Sequence, residues 1–310
     1  MRLQSLLKIA LLGIIATQLT TVPAQAASQI SISEKSIQVP IYGSAQSSYG
    51  KSLRIVSLAN GGAEVIVALG LKSKLVGRDI ASTFTGDAKI PIVTQAHAVS
   101  AEKVLAVRPT LILVNPGTGP LSALKQIKSA GVKIVNIPEV YSVDGMQAKY
   151  LAIITALKIS KTDPVAQKLL NSIPLPETST TTASQKPTVA FLYLRGTSGI
   201  YLLGGKGSGA DALIESAGGT DIGAQTQKTP FVPLTPEALV AMNPSIILLM
   251  QKGLESVGGL TGLLALPGLS QTQAGKTQKV ITVDDSLLLA FGPRTGELIN
   301  KLSLAIKALQ

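Results

Sequence analysis

From residue 53 onward the chain alternates between two hydrophobic patterns. Short apolar runs (RIVSL, KLVG, PIV, TLILV, KIVNI, TVAFLYL, SIILLM and KVITV) are rich in Val, Ile and Leu and are bounded by turn residues, which predicts buried strands. Between them AEVIVALGL, LSALKQIKSAG and GADALIESAGG place apolar residues at the spacing of one helix face. Asn60, Gly61 and Gly62 form the turn after the first strand. Strand and helix in alternation predict an α/β fold with parallel sheets.

One pair of segments repeats without gaps. SAEKVLAVRPTLILV (residues 100–114) aligns on TPEALVAMNPSIILL (residues 235–249). In each copy a hydroxyl residue caps a helix, a glutamate follows at its second position, and Pro109 or Pro244 stops the helix before a buried strand. An offset of 135 residues is too long for a solenoid repeat and predicts two lobes of one make. The expected organisation is a Rossmann-like lobe over residues 53–142, a linking segment over 143–187 and a second Rossmann-like lobe over 188–310. The link holds a backbone helix at residues 145–159, a second helix at 164–172, and the Pro/Ser/Thr stretch PLPETSTTTASQKP. Residues 27–52, rich in Ser, Gln and Gly, read as an extended arm. Two joined lobes imply a ligand cleft between them.

Composition narrows the function. The chain carries 28 Lys and Arg against 17 Asp and Glu, a formal charge of +11, yet its basic residues are scattered and only 3% of residues are aromatic. Neither a phosphate-tracking stripe nor a stacking platform results, so no nucleic-acid partner is expected. Residues 1–26 combine Arg2 and Lys8, a short apolar run and an A-x-A site ending at Ala26. This is the pattern of a cleaved secretory signal, and its removal leaves +9. No later run is long enough to span a bilayer, and the chain contains no cysteine. A periplasmic, monomeric protein with no stable membrane anchor is the expectation.

Enzyme signatures are missing. There is no G-x-S-x-G elbow, ANGGAEVI departs from G-x-G-x-x-G, and GGKGSG lacks the order of a phosphate-binding loop. An exported α/β enzyme binding a nucleotide cofactor remains the alternative from another class. The chain has one histidine, His97, in TQAHAVSAEKVL. It is either a metal ligand or a solvated loop residue.

The stretch RIVSLANGGAEVIVALGLKSKLVGRD resembles the opening of the first lobe in ABC-transporter substrate-binding proteins of the helical-backbone class, which carry cobalamin, ferric siderophores and haem. The stretches LLGGKGSGADALIESAGGTDIG, PLTPEALVAMNPSIILLMQKGLESVGGLTGLLALPGL and VDDSLLLAFGPRTGE are similar to the periplasmic hemin-binding branch. The resemblance covers residues 53–310. It implies a carrier that captures hemin as its transported ligand, holds no catalytic cofactor, and delivers its cargo to a permease with ATPase subunits. Cobalamin or a ferric siderophore is the alternative cargo.

The resemblance also implies site residues. Relatives carry G-Y-x-R just before the S-x-E helix, with the tyrosine phenolate on ferric iron. Here Gln95 stands at the tyrosine position and His97 at the arginine position, so His97 becomes the candidate axial ligand. A hydrogen bond from His97 to a ligand carboxylate is the alternative role. Tyr141 is the second candidate ligand, and Tyr150 and Tyr193 are expected to be structural. Phe231 is placed to stack on a porphyrin. Arg294, Arg78 and Lys206 are candidates for its propionates, and Arg294 as a lobe-closing residue is the competing account. Glu102 and Glu237, one per lobe, match the glutamates that such carriers present to the permease. Stabilisation of a helix start is their structural alternative.

Overall fold

The computed structural model describes residues 29–96, 98–175 and 186–310. The secretory-signal segment, His97 and the middle of the Pro/Ser/Thr stretch lie outside the described residues. Strand β1 (Gln29–Ile32) comes first. The first lobe follows with β2 (Ile55–Ser57), α1 (Gly62–Ala68), β3 (Leu75–Arg78), the hairpin β4 (Thr94–Gln95) and β5 (Ala98–Val99), α2 (Ala101–Ala106), β6 (Leu111–Val114), α3 (Leu121–Ser129) and β7 (Lys133–Asn136). Helices α4 (Met146–Ala156) and α5 (Pro164–Asn171) lead to β8 (Thr188–Arg195), β9 (Ile200–Gly204), α6 (Ala210–Ser216), β10 (Thr220–Asp221), α7 (Ile222–Thr226) and β11 (Phe231–Pro233). The chain ends with α8 (Pro236–Met242), β12 (Ile246–Met250), α9 (Gln251–Ser256), α10 (Gly259–Leu264), α11 (Gln273–Thr277), β13 (Val280–Val283), α12 (Asp285–Leu288) and α13 (Thr295–Ala308).

The first sheet runs β3-β2-β6-β7, all parallel. The second runs β1-β13-β12-β8-β9-β11, with β10 beside the start of β8. Its β1 to β8 half is parallel and its β9 and β11 are antiparallel. Every residue of β2, β6, β12 and β13 is buried, because helices cover both faces of a parallel sheet. Burying each such Val, Leu or Ile contributes about 1.5–3 kcal/mol. The stretch read as an arm begins in β1, the edge strand of the second sheet. It then crosses to the first lobe, where the amides of Tyr42 and Ala45 donate to Ala68 O and Leu69 O at the end of α1.

The repeat is visible down to its backbone. Ser100 and Thr235 cap α2 and α8 by accepting from the amides of Lys103 and Ala238. Before each proline the chain enters the left-handed region, at Arg108 (φ 47°) and Asn243 (φ 44°). Arg54 donates to the carbonyls of Val107 and Arg108, satisfying acceptors that the end of α2 leaves unpaired.

Where the lobes meet, charge is buried. Arg294 bonds Glu64 of α1 at 2.7 Å, with side chains only 2% and 4% exposed, and also donates to Thr83 O. Lys149, on the linking helix α4, sends its ammonium to Asn60 O, Ala290 O and Phe291 O. Glycine is required here: a Cβ on Gly61 would stand 2.5 Å from Ala290 O, and Gly61 has φ 71°. One contiguous core cluster contains Val65 and Ile66 of the first lobe together with Phe191, Ile281 and Leu298 of the second.

Removing one partner of a buried pair leaves the other charge without compensation. Arg294→Met should therefore lower unfolding stability by about 3–5 kcal/mol. Adding Glu64→Leu should restore most of that loss. Urea unfolding of the two variants checks this, and a cost below about 1 kcal/mol for Arg294→Met would contradict the locking role.

Candidate functional site

Parallel α/β sheets bind ligands beyond the carboxyl ends of their strands, and here two sheets direct those ends at each other. Leu58 follows β2, Asp79 follows β3, Asn115 follows β6, and Glu139 lies just past β7. From the other lobe come Tyr193 and Arg195 of β8, Met250 of β12, Lys252 of α9, and Asp284 and Asp285 after β13. Together they line a cleft of about 810 Å³, a size suited to one cofactor-sized ligand. Asn115 secures the first wall: its Oδ1 accepts from the Asn60 amide and its Nδ2 donates to Ile137 O.

The β4–β5 hairpin hangs over this cleft. Gln95 pairs with Ala98, and Ala96, just past β4, lines the cleft with φ 49°. The expected ligand His97 is thus the neighbour of a cleft residue, although its own placement lies outside the described residues. Gln95 is exposed on β4.

Opposite stands Tyr193, a residue of an almost wholly apolar strand and expected to be structural. Tyr193 lines the cleft and is only half-buried. The edge of Phe231 packs against its ring at a centroid distance of 5.6 Å, and the Arg195 guanidinium lies 4.7 Å from the ring centroid. Phe231 therefore backs the aromatic wall instead of forming its surface. Alternation along β8 gives the reason: Leu192 and Leu194 are buried while Tyr193 and Arg195 emerge. The strand end was the available signal.

Other expected contacts lie elsewhere. Arg294, expected at a propionate, is corrected to the buried inter-lobe pair with Glu64. Arg78 is buried in a 2.9 Å ion pair with Asp87, so it too is engaged away from the cleft surface. Lys206 is exposed at the turn after β9, its amide bonded to Gln227 O. Tyr141 is 42% exposed, two residues beyond the cleft-lining Glu139. Glu102 and Glu237 are both exposed at the second positions of α2 and α8.

Five carboxylates and two cations line the cleft. Asp285 pairs with Arg195 at 2.8 Å, and Asp284 accepts from both the amide and the hydroxyl of Ser286. Burial pushes the Asp79 carboxyl above its usual range, opposed by hydrogen bonds from Ser82 and the Ala81 amide. Among the described residues no cluster of His, Asp and Glu forms a metal site, and no helix is long and apolar enough to cross a membrane.

A family model described as Periplasmic binding protein matches residues 55–287. The periplasmic heme-binding protein RhuT from Roseiflexus sp. RS-1, solved in apo form, is 36% identical, with 84% of this chain and all of that one covered and a TM-score of 0.75. The heme-binding protein HmuT is 31% identical over 86% of this chain and 91% of its own, with a TM-score of 0.73. Solved HmuT variants replace a histidine, a tyrosine and an arginine with alanine, the arginine two positions after the tyrosine and the histidine 99 before it. In this chain Arg195 stands two positions after Tyr193, and His97 stands 96 before it. The uncharacterized ABC transporter substrate-binding lipoprotein YvrC of Bacillus subtilis (strain 168) is 25% identical over 260 residues, 82% of this chain and 79% of that protein.

The Tyr141 phenol is pushed up to about 12 by burial, by its hydrogen bond to Glu139 and by that carboxylate's charge. Glu139→Gln should bring it down towards the ordinary tyrosine value of about 10. Phenolate absorbance titrations of both proteins, each compared with its Tyr141→Phe counterpart, check this. An unchanged midpoint would show that Glu139 does not govern the phenol.

Proposed function

Given that the chain belongs to the periplasmic binding protein family, we propose that it captures hemin in the inter-lobe cleft and delivers it to an ABC-type import permease and its ATPase. One observation carries this reading. Tyr193 and Arg195 line one cleft with Ala96, the chain neighbour of His97; the tyrosine and the arginine two positions later have the same spacing as the pair replaced in the heme-binding relative HmuT, whose replaced histidine stands 99 positions before the tyrosine, against 96 here.

The chemistry fits an iron porphyrin entering between the lobes. His97 from the first lobe and Tyr193 from the second are the axial ligand pair, with Tyr141 as the other candidate oxygen. Tyr193 ligates as phenolate, so its proton leaves to solvent as the iron–oxygen bond forms. The Arg195 guanidinium beside its ring stabilises that negative charge. Lys252 and the Asn60, Asn115 and Thr118 side chains offer partners for propionates at the walls. The acidic lining disfavours a polyanionic ferric siderophore and accepts a cationic ferric centre. Export to the periplasm accords with the names of the periplasmic relatives, and cleavage near Ala26 is part of the same proposal. Glu102 and Glu237 present one carboxylate per lobe to arginines on a two-fold permease.

Hemin should bind the purified protein with a Soret band, and more tightly than cobalamin or a ferric siderophore. His97→Ala and Tyr193→Phe should each alter the Soret and charge-transfer bands and weaken binding at least about tenfold, or 1.4 kcal/mol. Acid should loosen the complex as pH falls through the ordinary histidine value of about 6.5, because protons compete with iron for the imidazole. Unchanged spectra in both variants would refute the ligand pair. Tyr141→Phe would then test the remaining oxygen.

Docking is tested separately. The helix dipole gives each exposed glutamate about 0.3–1 kcal/mol of helix-start stabilisation, which does not require one on each lobe. Glu102→Ala combined with Glu237→Ala should leave hemin affinity intact and abolish hemin-stimulated ATP hydrolysis by the reconstituted importer. Normal stimulation would leave both as ordinary helix-start residues.

A further inference from the structure

Arg195 has a partner whose position is more informative than a surface ion pair. Its Nη1 donates to the neighbouring Leu194 O at 2.8 Å, and its Nη2 donates to Asp285 Oδ1 at 2.8 Å. The other Asp285 oxygen accepts the Lys252 amide at 3.0 Å. A single carboxylate thus joins the end of β8, the start of α9 and the start of α12. The pair is mostly shielded, with side chains 27% and 17% exposed.

The surrounding backbone is shaped for this junction. A Cβ on Gly253 would stand 3.2 Å from Leu194 O and 3.6 Å from Arg195 Nη1. One on Gly196 would come within 2.5 Å of Ser256 O. Helix α9 therefore lies directly against the end of β8, its Gly253 on Leu194 and Arg195 and its last residue Ser256 on Gly196, where larger side chains would push it away. This gives a physical reason for the GLESVGG stretch, which begins at Gly253.

Arginine has a long, freely rotating stem, and its position over a ring must be imposed from outside. Apart from the Leu194 carbonyl, Asp285 is the group that holds it. Asp285 also neutralises it, so the Tyr193 oxygen experiences the field of an ion pair instead of a bare cation. Resting on the reading of Tyr193 as an iron ligand, we propose that Asp285 is a positioning residue. It sets the strength of the iron–phenolate bond by fixing and partly neutralising Arg195.

The test is a double-mutant cycle on the hemin-loaded protein, using Asp285→Asn, Arg195→Ala and both together. Two quantities are read: the iron–phenolate stretch by resonance Raman, and the rate of hemin release to excess apomyoglobin. Asp285→Asn should lower the stretch, because an uncompensated guanidinium draws phenolate charge away from iron. It should also speed release about fivefold, a coupling of about 1 kcal/mol. In the Arg195→Ala background the same substitution should leave the stretch in place and change the release rate by less than about twofold. A role limited to anchoring α9 through the Lys252 amide would persist in that background, and such persistence would overturn the proposal. So would a single variant indistinguishable from the parent.

Tyr193→Phe separates the two levels of the reading. If it retains the parent vibration, the ligand reading itself fails and the Asp285 proposal fails with it. If it removes the vibration while Asp285→Asn shows no Arg195-dependent effect, only the role of Asp285 fails. Should Asp285→Asn lose its cooperative melt, Asp285→Glu, which keeps the charge but moves it by one methylene, takes its place in the cycle. It is expected to shift the stretch and raise release in the Arg195 background alone, and the absence of that shift overturns the proposal.

Discussion

A buried ion pair between two lobes constrains everything built around it. Glu64 and Arg294 are 230 positions apart in the chain, yet they meet at 2.7 Å with almost no exposure. Neither charge tolerates burial alone. Lys149 adds a third charge at the same junction, and burial lowers it from 10.5 to about 8 against the opposing pull of Glu64 and Glu139. The sign follows from linkage. The unfolded lysine holds its proton more tightly than the folded one, so this group's contribution to stability rises between about pH 8 and the ordinary lysine value of about 10.4. At neutral pH the ammonium remains because three backbone carbonyls accept from it and the charges of Glu64 and Glu139 favour it.

From that junction the cleft follows. With α1, α4 and the chain before α13 fixed relative to one another, the carboxyl ends of the two sheets face each other across a defined gap. Loop residues just past the strands then become wall residues: Asp79, Asn115 and Glu139 on one side, Lys252, Asp284 and Asp285 on the other. The lobes also share a hydrophobic core, so opening the cleft widely would expose apolar surface as well as separate charge. A shape set before ligand arrives favours affinity through preorganisation.

Much of this was legible in local pattern. The alternation of apolar runs and helical spacing gave the α/β class, and residues 100–114 and 235–249 matched in their capping hydroxyls, their second-position glutamates and their helix-stopping prolines. Local signals act over a few residues, and the site depends on pairings between distant ones. Arg294 looked available to a ligand because nothing near it in the chain announces Glu64. Tyr193 looked like core because TVAFLYL is almost wholly apolar. Only the register of β8 shows that its last alternate residues emerge into the cleft. Asn60 and Gly61 form the expected turn while Gly62 already opens α1, and the reason for Gly61 is the approach of Ala290 from the other lobe.

The central claim is that the Glu64–Arg294–Lys149 junction holds a preformed cleft. The chain has no native cysteine, so spin labels can be placed cleanly at Lys125→Cys on the first lobe and Lys228→Cys on the second, both exposed positions. Pulsed dipolar spectroscopy of the protein with and without hemin measures the distance between the lobes. A single narrow distribution whose mean moves by less than about 2 Å on loading is the predicted result. A broad or two-peaked distribution in the free protein, or a shift of several ångströms on loading, would contradict it.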